Sequence, residues 1–119
     1  MTHKIITIGD GAANIAKLIS IETSKTIIIV SLGGSKSRNA VEVITANQSD
    51  DLVVILVMPM LCEGPTRNSR AEEYKKQIEV LTKNITVFSN ETYSHLNFKQ
   101  AFAATDIDVM EFILNLNCV

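Results

Sequence analysis

The sequence predicts an α/β fold: a mostly parallel sheet of about four strands flanked by helices. Three observations predict it. Apolar runs rich in β-branched residues recur along the chain, segments with helical spacing separate them, and turn residues gather where each run ends.

The runs lie at Lys4–Ile8, Thr26–Ser31, Leu52–Met58 and Ile85–Phe88. They are continuous rather than alternating, which suits strands covered on both faces, as in a parallel sheet. Between and after them the spacing predicts helices over Ala12–Ser20, Ser37–Asn47, Thr66–Thr82 and Asn97–Leu116. The third helix places Ala71, Tyr74, Ile78 and Leu81 three or four residues apart, so it should bury one stripe and expose a charged face. In such folds ligands bind beyond the carboxyl ends of the strands. The loops that matter are therefore "GDGAAN", "LGGSKSRN", "PMLCEGPTRNSR" and "SNETYSHLN".

With 119 residues, 46% of them hydrophobic, the chain can bury one core, and residues 1–119 are expected to form a single domain. A formal charge of -2 offers no broad attraction to nucleic acid or to an anionic membrane, so neither is an expected partner. Cys62 and Cys118 lie far apart without a CxxC pairing, as reduced thiols of a cytoplasmic protein would. The start "MTHKIITIGDG" enters a strand pattern without a signal-peptide core, and "LVVILVMPMLC" stops at a proline within strand length. A soluble, cytoplasmic chain is the expectation.

Two glycine loops carry the site reading. After the first strand, Gly9 and Gly11 stand where backbone N–H groups could meet an anion at a helix start, or where a tight turn simply needs small residues. A dinucleotide site would require an acidic residue closing the next strand, and that strand ends at Ser31. After the second strand, "GGSKS" places a lysine and a serine at a helix start, as a P-loop does. A P-loop needs glycine where Ser35 and Val30 stand, so the spacing fails.

Read together, "IITIGDGAANIAKL", "IIIVSLGGSKSRNAVEVI", "MPMLCEGPTRNSRAEEYKKQIEVL" and "VFSNETYSHLNFKQAFAATDIDVM" resemble, in order, segments of the amino-terminal domain of the FtsZ/tubulin family of polymerising GTPases. Pro59, Glu63, Gly64, Arg67, Ala71, Glu72 and Glu73 match that family's third segment. The resemblance implies a shortened three-layer, Rossmann-like nucleotide-binding domain, and a link to cell division or the cytoskeleton. The family's second and third strands have no counterpart, and only "SIETSK" bridges the gap.

The resemblance places Asn14, Phe102 and Asp106 at the nucleoside: asparagine near ribose and base, phenylalanine against guanine, aspartate accepting from its N–H groups. Phe102 and Asp106 are four apart and so share a helix face. On the phosphate side, Gly33 and Gly34 remain of the signature loop GGGTGTG, followed by Ser35, Lys36, Ser37, Arg38 and Asn39. Long side chains thus replace glycines that would let a backbone approach a triphosphate, while Lys36 and Arg38 could supply charge. The family's acidic loop for hydrolysis lies beyond this sequence, so GTP turnover is not expected. GTP or GDP binding stays open.

The other polar residues suggest no catalytic set. Glu72 and Glu73 are expected to meet a helix dipole near the third helix start. His3 and His95 have no ligand spacing, and no metal is expected. Cys62 sits beside Glu63, a carboxylate that opposes a reactive thiolate, and Ser35 or Ser37 lacks a histidine base. Phe102 fits core packing and base stacking equally well.

Loss of two strands would leave "KIITI" at a sheet edge, predicting a homo-oligomer through edge pairing, or an FtsZ-type partner. A direct link from the first helix to the next strand also strains the right-handed crossover rule if that helix keeps the family's face. The reading ranked first is a non-catalytic FtsZ-like module acting by self-association or partner binding; the alternative is a guanine-nucleotide-binding protein with weak or no hydrolysis.

Overall fold

The computed structural model describes residues 4–9, 12 and 25–116. Strands β1 (Lys4–Ile8), β2 (Thr26–Ser31), β3 (Leu52–Met58) and β4 (Ile85–Ser89) form one sheet in the order β1-β2-β3-β4, with every neighbouring pair parallel. The expected α/β class holds, and β1 lies at an edge of the described sheet. The last strand runs one residue further than its apolar run, because Ser89 pairs with Met58.

Every residue of β3 is buried, because it has a strand on each side and helices over both faces. The pleat divides its side chains. Leu52, Val54, Leu56 and Met58 enter the core under helices α1 (Asn39–Ala46) and α2 (Pro65–Leu81), with Ala40, Ile44, Ala71 and Ile78. Val53, Ile55 and Val57 enter the core under α3 (Phe98–Leu116), with Val109 and Ile113. Each of the larger side chains among these, Val, Leu, Ile or Met, contributes roughly 1.5–3 kcal/mol when fully buried. Three layers result, with the sheet in the middle.

Helices of same-handed crossovers that step one way across a sheet share a face, as α1 and α2 do. Ala12, helical and buried, packs on the opposite face with α3. The rest of that connection, residues 10, 11 and 13–24, lies outside the described residues.

Local chemistry sets the helix starts. The helical pattern expected from Ser37 opens instead as a tight 3-10 turn over Ser35–Arg38, with α1 beginning at Asn39. Gly64 (φ 104) turns the chain into Pro65, whose fixed φ suits the first helical position. Asn68 Nδ2 then donates to the carbonyls of Met60 (3.0 Å) and Gly64 (2.9 Å), tying the loop to α2. Because the helix starts at Pro65, Glu72 and Glu73 lie beyond its first turn on its exposed side, and the expected dipole contact does not apply. Asn97 Oδ1 caps α3 by accepting the Gln100 N–H at 2.8 Å. The buried line of α3 is Ala101, Thr105, Val109 and Ile113, which leaves Phe102 off the core at 38% exposure.

Candidate functional site

The carboxyl ends of the strands open into a cleft of ≈ 320 Å³. Gly9 after β1, Ser31 to Lys36 in part after β2, Pro59 and Glu63 after β3, and Asn90 after β4 line it, closed by Arg67 of α2 and by Phe102 and Asp106 of α3. Since α2 and α3 cover opposite faces of the sheet, the cleft has one wall from each.

The glycines do different work. Gly9 (φ 93) sits where an added Cβ would lie 3.0 Å from the Ser31 carbonyl oxygen, so it serves the close approach of the β1 and β2 ends. Gly33 (φ 102) would drive a Cβ to 3.2 Å from the Arg67 carbonyl and 3.3 Å from Pro59 Cγ. Its N–H donates to the buried Ser37 hydroxyl at 3.0 Å, and its carbonyl accepts from Arg70 Nη1 at 3.0 Å. Gly33 is therefore absorbed by the fold. Gly34 is extended (φ -82, ψ 172), has open space around its missing Cβ, and lines the cleft.

Lys36 lines the cleft and Arg38 does not. In a 3-10 turn residues two apart point about 120° from one another, so the two cations leave the turn in different directions. Gly11 and Asn14, the remaining expected ligand residues, lie outside the described residues.

On the α3 wall, Phe102 and Asp106 stand side by side, one turn apart. Burial raises the Asp106 carboxyl from 3.8 to about 6. Phe98, half-exposed one turn nearer the helix start, touches Phe102 with ring centroids 5.9 Å apart and tilted by 42°. Of this pair, Phe102 lines the cleft beside the carboxylate.

Sequence reasoning matched Glu63 and Arg67 to a family segment without assigning them to the site, and it missed Ser31 and Asn90. Glu63 Oε2 accepts the Met60 N–H at 2.6 Å, and its other oxygen lies 3.9 Å from Arg67 Nη1. The signal for these residues was their place after a strand, which predicts proximity to the cleft but not which side chains turn inward.

Cys62 is exposed and does not line the cleft. His95 is exposed beside Tyr93, and no three His, Cys, Asp or Glu residues among those described gather as metal ligands. No described helix is long and apolar enough to cross a membrane. A scan against protein-family models finds no match, and no curated protein matches the chain.

Proposed function

We propose that the chain is an FtsZ-like nucleotide-binding module that holds a guanine nucleotide without hydrolysing it. The observation that carries this reading is the convergence, in one cleft, of Phe102 and Asp106 on one wall with Gly34, Lys36 and Arg67 across from them. An aromatic face stacks on a purine, and an ionised carboxylate accepts paired N–H donors. Guanine presents such a pair on its Watson–Crick edge, where adenine places an acceptor beside its amino group. Because the carboxylate must be ionised to accept both, affinity rises with pH through about 6 and then levels.

Binding without turnover is favoured by the state of the loop. A triphosphate is held by successive bare N–H groups, and the one at Gly33 is already satisfied by Ser37. Titration with GMP tests the reading: saturable shifts of the Gly34, Lys36 and Asn90 amide resonances at micromolar ligand support it, and no shift at millimolar GMP rejects it.

The edge position of β1 favours a second reading, self-association by strand pairing with another copy. Light scattering should then report at least a dimer; a monomer at every concentration would reject it.

A further inference from the structure

The cleft's anion end has a feature that the nucleotide reading does not by itself explain: it contains a carboxylate that is fastened down. Glu63 lines the cleft, held by the Met60 N–H at 2.6 Å and facing Arg67 at 3.9 Å. Its side chain is mostly enclosed, at 18% exposure, whereas that of Arg67 is 54% exposed. The cation can turn toward a ligand, but the anion cannot easily leave.

Resting on the nucleotide reading, we propose that this site selects nucleoside monophosphates over di- and triphosphates, and that Glu63 is the residue that enforces the choice. Three observations on the same wall agree. Space is limited, since a cleft of ≈ 320 Å³ stands at the small end of ligand pockets. Backbone donors are limited too, since Gly33 gives its N–H to Ser37 and, of the two described glycines that line the cleft, Gly9 is pressed against Ser31 while Gly34 has open space around it. Charge is limited as well. Lys36 and Arg67 oppose one phosphate favourably, but each further phosphate adds negative charge near the pinned Glu63 carboxylate in a partly enclosed site, where like charges are poorly screened.

Glu63→Gln is a direct probe, because the amide oxygen can still accept the Met60 N–H while the charge is lost. Calorimetric titration of the wild-type chain with GMP, GDP and GTP without magnesium should give affinities falling in that order, with GTP at least ~10-fold weaker than GMP. In Glu63→Gln the preference for GMP over GTP should narrow by at least ~3-fold, with the melting temperature read in parallel to exclude a folding effect. Wild-type binding of GTP as tight as GMP, or an unchanged ratio in the variant, overturns the inference and leaves the nucleotide reading standing. Absence of binding by any of the three overturns both.

Discussion

Asp106→Asn is expected to make the protein more stable at pH 7.5 and to weaken the proposed guanine binding by ~100-fold or more. The folded-state carboxyl titrates at about 6, above its ordinary 3.8, because burial disfavours the charged form. Between those two values the folded chain holds a proton that the unfolded chain has released. Stability from this group is therefore greatest below pH ~4, falls as pH rises, and stays low above pH ~6. Unscreened, a rise from 3.8 to about 6 would correspond to a penalty of ~3 kcal/mol at neutral pH, and solvent screening of the partly exposed carboxylate reduces it to ~1 kcal/mol. Asparagine avoids the penalty, so urea denaturation should show a gain of ~1 kcal/mol at pH 7.5 that vanishes near pH 4. It also replaces one of two acceptors with a donor, which should cost ~100-fold or more in GMP affinity. Gain of stability with loss of binding is the signature of a group kept for its ligand. A variant destabilised at pH 7.5, or one that binds GMP normally, would refute this role.

Gly33→Ala is expected to cost ~2–4 kcal/mol of folding stability, whereas Gly34→Ala should change it by less than ~1 kcal/mol. The residues are neighbours of identical chemistry, so the difference comes from their surroundings. At Gly33 an alanine would occupy left-handed backbone (φ 102) and press on the Arg67 carbonyl and the Pro59 ring. Relief requires moving the start of α2 or the end of β3, both packed, and would disturb the buried contact with Ser37. At Gly34 the backbone is extended and the space is open. Thermal or urea unfolding of the two variants compares them directly, and equal losses would show that the loop is held otherwise than by Gly33.

The strands were legible because burial on both faces demands continuous apolar runs, and LVVILVM at β3 is such a run. The stripe of α2 was legible for a similar reason, with Ala71 and Ile78 buried and Tyr74 and Leu81 packed beside them. The phase of α3 was not. Its buried line includes Thr105, whose hydroxyl is satisfied by the Ala101 carbonyl at 3.1 Å, so counting apolar residues alone left Phe102 ambiguous between core and cleft.

Within the site, the shared face of Phe102 and Asp106 followed from spacing, and Lys36 followed from its loop. The separation of Lys36 from Arg38 depended on a 3-10 turn, itself drawn tight by the contact between Ser37 and Gly33. Glu63 and Arg67 enter the cleft through the turn at Gly64 and Pro65 and the anchoring of Glu63 to Met60, tertiary details that composition does not encode.

In the proposed binding mode a guanine nucleotide lies across the strand ends while Gly33 stays committed to the fold. Amide-resolved titration with GMP, with AMP as control and hydrogen exchange followed in both states, tests it most directly. The predicted result is saturable shifts at Gly34, Lys36, Asn90, Phe102 and Asp106 with GMP, weaker ones with AMP, and a Gly33 amide equally protected with and without ligand. Shifts confined to residues away from this cleft, or a Gly33 amide that becomes protected only when nucleotide is added, would contradict it.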